Sequence, residues 1–328
     1  RYMIKLYKKA GNKIQCDLCP NSCKPDNLKF GACNIRENIN SKIINPYEGI
    51  ISSSSLDPIE KKPLYHFLPG TKIYSVGFFG CTFKCQFCQN YAISQSIPRT
   101  NQAITPEEFV DFLIKNNYKS IAFTYSEPLL YYEWVYKTSK LCKEYGVKTV
   151  LVTNGYINPE PAKELLNFID AANIDFKSSK DEFYIEMCSG RLEPVKDFIK
   201  IAFDKNVHIE ITTLVITDLN DHIEECFEIS EFISSLSKDI PYHISKYHPA
   251  YKLNKRPTSE STIMEWTMEA SRRLNYVYAG NVSFSADTHC KNCGNILINR
   301  DFYKTEIKNL NEDGSCKLCS TDNKIILH

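Results

Sequence analysis

The chain has 328 residues, of which 43% are hydrophobic and 24% are charged, and these proportions predict a folded globular protein. The length allows one large α/β domain with smaller additions, and the composition excludes a predominantly disordered chain. The 40 basic and 39 acidic side chains give a formal net charge of +1, so no global charge attracts nucleic acid or an anionic membrane.

Targeting signals and disulfides are not evident in the sequence. No segment approaches the ~20 apolar residues of a membrane-spanning helix, and residues 1–12 contain no apolar signal core, so we expect a cytoplasmic protein. Eleven of the 14 cysteines fall in three tight clusters, which is typical of metal sites. The other three, Cys142, Cys188 and Cys226, are expected to be buried apolar residues.

The first 55 residues differ in composition from the rest of the chain and contain the first cysteine cluster. Its members are Cys16, Cys19, Cys23 and Cys33. Four thiolates can complete the coordination of either zinc or a 4Fe–4S cluster, so both remain open here. The sequence predicts a small module over residues 1–55 that is stabilised by a bound metal, with the serine-rich run 52–55 as its boundary.

Residues 56–286 alternate short β-branched or apolar runs with longer segments of helical periodicity, a pattern typical of βαβ units. Seven runs are predicted strands, at 73–79, 120–125, 147–153, 171–177, 207–216, 241–247 and 276–280. Helices are predicted to begin close to Pro106, Pro128 and Pro159. About six such units with right-handed crossovers predict an α/β fold, namely a partial parallel (β/α) barrel, because a closed barrel has eight.

The second cysteine cluster lies in a loop directly after the first predicted barrel strand. Cys81, Cys85 and Cys88 form the pattern Cys-x3-Cys-x2-Cys. Three thiolates on one loop can hold three irons of a 4Fe–4S cluster and leave the fourth iron open to a chelating small molecule. A zinc knot fits less well because no fourth ligand follows locally, and disulfides fit less well because the number of thiols is odd.

The third cysteine cluster lies in the tail, which we assign to residues 287–328. Its members are Cys290, Cys293, Cys316 and Cys319. They form two Cys-x2-Cys pairs separated by a hairpin-like stretch, 296–303. Paired knuckles of this kind are typical of structural zinc, so the sequence predicts a C-terminal zinc ribbon.

Five short sequence motifs, in addition to the cysteine clusters, are informative about the family of this chain. They are DPIEKKPLYH (57–66), CQNY (88–91), TYSEP (124–128), TNGY (153–156) and NIDFK (173–177). Together with the cysteine clusters, they resemble the radical S-adenosylmethionine (SAM) member of the AmmeMemoRadiSam system, a family related to pyruvate formate-lyase activating enzymes. The resemblance implies a 4Fe–4S cluster that reductively cleaves SAM to a 5'-deoxyadenosyl radical, which then abstracts hydrogen from a substrate.

The resemblance also implies roles for individual residues. Glu127 corresponds to the glutamate of the superfamily's Gly-Gly-Glu motif, which receives the ammonium of SAM, although Tyr125 and Ser126 replace the two glycines. The other residues implied to contact SAM are Asn154, Gly155, Asp175, Lys177 and His243. The spacing of Asp175 and Lys177 places both on one side of a strand, where they can pair. No catalytic side chain is assigned, because the cofactors carry the chemistry.

The partners of such an enzyme are an electron donor, such as a ferredoxin or flavodoxin, and an unidentified substrate. One alternative is a glycyl-radical-enzyme activase, whose protein substrate needs an open lateral mouth in the barrel, whereas a small-molecule enzyme should have the mouth covered. Another is a zinc-ribbon binding protein without turnover. The balanced charge and the lack of a basic-aromatic stripe make nucleic acid an unfavourable partner.

Overall fold

The computed structural model describes residues 4–283, 285–301 and 304–328. Five short strands come first: β1 (Tyr7–Ala10), β2 (Lys13–Cys16), β3 (Lys29–Phe30), β4 (Glu37–Ile39) and β5 (Lys42–Ile44). β1 and β2 form an antiparallel hairpin, and β3 to β5 form a separate three-stranded antiparallel sheet. The four N-terminal cysteines lie at the end of β2 and in the loops on either side of β3.

The main sheet has eight strands. They are β6 (Ser53–Pro58), β7 (Lys72–Gly77), β8 (Ser120–Thr124), β9 (Lys148–Thr153), β10 (Ala171–Asp175), β11 (His208–Val215), β12 (Tyr242–Lys246) and β13 (Val277–Gly280). Their order in the sheet follows the chain, with β7 to β13 parallel and β6 antiparallel to β7. In the described part of the chain β6 and β13 do not pair, so the barrel is partial, as predicted.

All seven predicted barrel strands are confirmed, and only their ends shift by one or two residues. Strand β6 was not predicted. Its serines give no alternation of apolar and polar residues, and positions 53–56 are exposed in the structure. An edge strand with one hydrogen-bonded neighbour needs little apolar burial, which explains why its sequence carries no strand pattern.

Helices connect the parallel strands. They are α1 (Tyr91–Ser94), α2 (Pro106–Lys115), α3 (Tyr132–Glu144), α4 (Pro159–Leu165), α5 (Asp181–Phe183), α6 (Glu193–Asp204), α7 (Ile223–Leu236) and α8 (Glu260–Ala270). The predicted starts at Pro106 and Pro159 are confirmed, while Pro128 opens a 3-10 turn that leads into α3. Thr105 caps α2, because its hydroxyl accepts a hydrogen bond from the Glu108 backbone N–H at 3.2 Å.

The core lies between the helices and the parallel strands. Every residue of β8 is buried, as expected for a parallel strand covered on both faces. The prediction that Cys142, Cys188 and Cys226 are buried is confirmed, since each is 0% exposed. Among the described residues, no helix is long and apolar enough to cross a membrane.

The C-terminal segment is a small antiparallel sheet that packs against the barrel. Its strands are β14 (Thr288–His289), β15 (Ile296–Asp301) and β16 (Lys304–Ile307). The predicted hairpin stretch 296–303 begins with β15, but residues 302 and 303 lie outside the described residues. Downstream of this sheet, the Ile326 backbone N–H donates to the His66 carbonyl, and the Ile326 carbonyl accepts from Leu68 N–H, both at 2.7 Å.

We predict that Gly80→Ala destabilises the fold more than Gly146→Ala does. Both glycines have positive φ, at +76° and +71°, so alanine costs about 1–2 kcal/mol at either position. A Cβ at Gly80 would also contact the Ile35 side chain and lie 3.1 Å from the Cys33 carbonyl oxygen. This crowding adds about 1–3 kcal/mol, whereas nothing lies within 4 Å of a Cβ at Gly146.

Urea unfolding of the metal-loaded variants at one pH measures how much each substitution lowers the free energy of unfolding. Equal decreases for Gly80→Ala and Gly146→Ala would contradict the packing of the N-terminal module against the Gly80 turn.

Candidate active site at the carboxyl ends of the barrel strands

Three residues separate the end of β7 from the first cysteine of the Cys-x3-Cys-x2-Cys loop. The side chains of Cys81, Cys85 and Cys88 line one cavity of about 340 Å³. Burial raises the pKa of the Cys81 thiol, and a hydrogen bond with Cys188 together with burial raises that of Cys85. Binding to a metal centre would favour the thiolate form of these sulfurs. The contact between Cys188 and Cys85 was not predicted, because Cys188 stands alone in the sequence.

Glu127 follows β8 and lies on the wall of the same cavity, with 0% exposure. Its carboxylate accepts hydrogen bonds from the Thr153 hydroxyl at 2.7 Å, Asn154 N–H at 2.9 Å and Leu129 N–H at 3.1 Å. No lysine, arginine or histidine nitrogen of the described chain lies within 4.0 Å of it. Burial raises the pKa of Glu127 to about 7, despite these donors. Such a carboxyl group is suited to a cationic or N–H-bearing ligand.

Asn154 connects the end of β9 to the cysteine loop. Its amide nitrogen lies 3.0 Å from the Thr82 hydroxyl oxygen and 3.5 Å from the Cys81 sulfur. Gly155 has a φ of +67°, and a Cβ there would lie 2.9 Å from the Phe198 ring. Asn154 therefore lines the cavity, whereas Gly155 is required by the turn and by packing behind it.

Asp175 and Lys177 also line this cavity and are paired, as their spacing predicted. The Lys177 Nζ lies 2.9 Å from an Asp175 carboxylate oxygen. The lysine side chain is 13% exposed and the aspartate 42%, so the pair lies at the rim of the cavity with the lysine on the inner side.

A second, larger cavity of about 1190 Å³ adjoins the first one. It lies at the gap between the barrel edges, and its walls come from the segment after β6, from the end of β13 and from β15. The residues that line both cavities are Lys61, Lys62, Tyr125, Ser245 and Asn281. The two cavities therefore meet, and a ligand in one can reach a ligand in the other.

A compact charged group stands where the cavities meet. The Lys62 Nζ lies 2.8 Å from the Asp57 carboxylate, which also accepts a hydrogen bond from the Tyr125 hydroxyl at 2.6 Å. Burial alone would raise the pKa of Asp57, but the bonds from Lys62 and Tyr125 lower it to about 2. The sequence motif 57–66 contains both Asp57 and Lys62, but the hydrogen bond between Asp57 and Tyr125 was not predicted.

His243 lines the larger cavity, apart from the other residues that were predicted to contact SAM. Its Nε2 lies 2.6 Å from the carboxylate of Glu210, which is 0% exposed. The same carboxylate accepts hydrogen bonds from Tyr65 N–H at 2.9 Å and His66 N–H at 2.8 Å, and it contacts His208 at 3.0 Å. Glu210 therefore holds His243 and the segment after β6 in place.

Arg300 of β15 forms another wall of the larger cavity and is 3% exposed. Its guanidinium donates to the Tyr65 carbonyl at 2.6 Å and to the Thr288 hydroxyl at 2.7 Å, and it lies 4.3 Å from the centre of the Tyr65 ring. No carboxylate of the described residues lies within 4.0 Å of this guanidinium. Sequence patterns could not find this contact, because 235 residues separate Arg300 from Tyr65.

The two terminal cysteine clusters differ in their sulfur spacing. Cys290, Cys293, Cys316 and Cys319 have all four sulfurs within 4.8 Å of one another. The cysteines of the N-terminal cluster line one narrow cavity, but the described structure brings no three of their sulfurs that close together. The C-terminal cluster therefore has the arrangement of a single-ion site, whereas the N-terminal cluster is more open.

Comparison with known proteins gives the class of this site. The profile of the radical SAM superfamily matches residues 75–229. An uncharacterized protein of Methanocaldococcus jannaschii is 40% identical over 324 residues, which cover 96% of each chain. The pyruvate formate-lyase-activating enzyme of Clostridium pasteurianum is 26% identical over 56% of this chain and 82% of its own.

A solved structure agrees in fold. Streptococcus suis SuiB bound to S-adenosylmethionine has a TM-score of 0.52 and 15% identity, covering 68% of this chain and 53% of its own. The chain belongs to the radical SAM superfamily. It is therefore an enzyme in which a 4Fe–4S cluster reductively cleaves SAM to a 5'-deoxyadenosyl radical that abstracts hydrogen.

We predict that Glu210→Gln destabilises the protein by about 1.5–3 kcal/mol at neutral pH, because it removes a charged acceptor of several hydrogen bonds. Burial alone would raise the pKa of Glu210, but the bonds from His208 and His243 hold it well below its usual value. A depressed pKa stabilises the fold above the unfolded-state pKa, and this contribution disappears as the pH falls through the folded-state pKa. The difference in free energy of unfolding between wild type and Glu210→Gln should therefore shrink below about pH 4.5.

The matched control is Glu225→Gln, the same change at a buried carboxylate that accepts hydrogen bonds from Ser178 and Ser179. Urea unfolding of both variants across acidic and neutral pH is the measurement. If the free energies of unfolding of wild type and Glu210→Gln differ by the same amount at every pH, the charge of the Glu210 carboxylate contributes nothing to stability.

Proposed function

We propose that Cys81, Cys85 and Cys88 hold the 4Fe–4S cluster and that SAM binds in the cavity of about 340 Å³ beside them. This volume falls within the ~300–1,000 Å³ range of small-molecule sites. Three thiols on one loop leave one iron free for the amino and carboxylate groups of SAM. The observation that carries the proposal is the convergence of the three thiols and the uncompensated Glu127 carboxyl group on one cavity.

Within this site, we assign the amino group of SAM to Glu127 and its carboxylate to Lys177, with Asp175 orienting the lysine. The Asn154 amide contacts both the cysteine loop and the strand end, so it fixes the loop beside SAM. Gly155 supports this turn from behind. We assign His243 to the substrate side, because it lines the larger cavity and not the cavity beside the cysteine loop.

The larger cavity is the reason for proposing a small-molecule substrate. Because it meets the SAM cavity through five shared lining residues, a substrate there lies within reach of a radical formed beside Cys81. Arg300 and β15 form part of the wall at the gap between the barrel edges, and the Arg300 guanidinium donates to the Tyr65 carbonyl there. This wall narrows the lateral mouth, which favours a compact substrate over a peptide loop. From the resemblance of its sequence motifs, we also propose that the chain belongs to the AmmeMemoRadiSam system, with residues 56–286 as the catalytic barrel.

A glycyl-radical-enzyme activase is the second candidate, since the Clostridium pasteurianum relative is an activating enzyme. In that case the tail, residues 287–328, would have to move to admit a protein loop. We further propose that Cys290, Cys293, Cys316 and Cys319 bind structural zinc, which closes the coordination and leaves no position for water. A ferredoxin or flavodoxin is the proposed electron donor.

We predict that Glu127→Gln weakens SAM binding by roughly tenfold to a hundredfold, because a charge-assisted hydrogen bond contributes about 1.5–3 kcal/mol. The carboxylate form accepts the SAM amino group, and the pKa of Glu127 without ligand is about 7. Wild-type affinity should therefore rise as the pH increases through about 7 and should level off above it, whereas the variant should lack this rise.

Calorimetry on cluster-loaded protein at several pH values tests this assignment. Glu164→Gln is the control, because Glu164 contacts Ile4 and Tyr132 away from the cavity. Equal SAM affinity in wild type and Glu127→Gln would show that Glu127 does not bind SAM and has only a structural role.

We predict that a low-molecular-weight substrate transfers deuterium to 5'-deoxyadenosine. Reduced enzyme and SAM are incubated anaerobically with extract from cells grown in deuterated medium, after the extract has been split by ultrafiltration. Mass spectrometry of 5'-deoxyadenosine should show deuterium with the small-molecule fraction. Deuterium only from the protein fraction would support the activase instead. The Cys81→Ala/Cys85→Ala/Cys88→Ala variant is the control and should form no 5'-deoxyadenosine.

A further inference from the structure

The three cysteine clusters of this chain can be compared through their sulfur spacing. In a tetrahedral zinc site with Zn–S bonds near 2.3 Å, neighbouring sulfurs lie about 3.8 Å apart. The C-terminal cluster has this spacing, since the sulfurs of Cys290 and Cys319 lie 3.5 Å apart and those of Cys293 and Cys316 lie 3.7 Å apart. A zinc-like arrangement is thus present in this structure where the sequence pattern predicts zinc.

The N-terminal cluster lacks this spacing. All four of its cysteines line one narrow cavity, but no three of their sulfurs lie within 4.8 Å of one another. The same is true of the three cysteines in the loop after β7, for which a 4Fe–4S cluster is expected. Each thiolate of such a cluster binds a different iron, so its sulfurs lie farther apart than those around one zinc ion.

We propose that Cys16, Cys19, Cys23 and Cys33 bind a second 4Fe–4S cluster rather than zinc. Four protein ligands would saturate all four irons, so this cluster has no open iron and cannot bind SAM. The assignment rests on the convergence of four thiols on one cavity, with sulfurs that are more widely spaced than those of the zinc-like C-terminal cluster.

The polar groups around this cavity suit an anionic cluster. Arg36 lines the cavity and is 2% exposed, and its guanidinium forms two bonds to Glu133 at 2.6 Å and 2.8 Å. The remaining guanidinium nitrogen, Nε, is buried and has no hydrogen-bond partner in the described structure. The Ala32 backbone N–H points at the Cys23 sulfur, 3.4 Å away. Such N–H donors stabilise the negative charge of a thiolate-ligated cluster.

The position of the N-terminal cluster agrees with a redox group. The Asn21 side-chain amide donates to the Thr82 carbonyl at 3.3 Å, one residue from Cys81. The Cys33 carbonyl oxygen lies 3.1 Å from the place of a Cβ on Gly80, on the other side of Cys81. The two cysteine loops are therefore in contact. Zinc has no redox chemistry to contribute at such a place, whereas an iron–sulfur cluster has.

Metal analysis of protein purified anaerobically from iron-supplemented cells tests the proposal. Two 4Fe–4S clusters and one zinc ion predict about eight irons and about one zinc per chain. Zinc in both terminal modules predicts about four irons and about two zincs instead, and this result would overturn the proposal. About four irons with about one zinc would overturn it as well, since the N-terminal cysteines would then hold no metal.

A variant separates the two iron sites. Cys81→Ala/Cys85→Ala/Cys88→Ala should keep about four irons, a brown colour and the Mössbauer signature of a 4Fe–4S cluster, although it cannot cleave SAM. The control, Cys290→Ser/Cys316→Ser, should lose zinc and keep all its iron. A colourless, iron-free triple variant that still binds about two zinc ions would refute the proposal. Because the readouts are metal content and spectra, the result does not depend on the proposed substrate.

Discussion

The gap in the barrel is the constraint on which the rest of the structure depends. The main sheet ends at β6 on one side and β13 on the other, and both edges must be covered without closing the lumen. The segment after β6 crosses this gap because Glu210 accepts the backbone N–H groups of Tyr65 and His66. Arg300 then joins the same segment to β15. The larger cavity lies against these segments, since Tyr65 and Arg300 both line it.

A charged group of Asp57, Lys62 and Tyr125 lies at the junction between the proposed SAM and substrate positions. Lys62 is 3% exposed, and an unpaired ammonium would be costly to bury there, so the Asp57 carboxylate compensates its charge. Tyr125 adopts a φ of +67°, which turns its ring toward this pair from the end of β8. Charge is thus balanced within the group, and the uncompensated Glu127 carboxyl remains available to a ligand.

Sequence alone predicted the repetitive parts of the fold and the parts that spacing encodes. The parallel strands have β-branched or apolar runs because the central ones, such as β8, are buried on both faces. Cys81, Cys85 and Cys88 lie within one short loop, so their spacing alone revealed them. Strand β6 was missed because serines at an edge need no apolar pattern. The contact of Arg300 with Tyr65 could not be predicted, since it joins residues 235 positions apart and depends on how the sheet curves.

The order in which the chain is synthesised has a consequence for the cavity at the barrel gap. The loop that carries Cys81 and the strand end that carries Glu127 belong to the early part of the sheet, whereas Arg300 and Ile326 are made only after β13. A nascent chain can therefore assemble the cofactor region before the outer wall exists. A chain truncated before β15 would leave that region open to solvent, so small thiols could quench its radical before the radical reached a bound substrate.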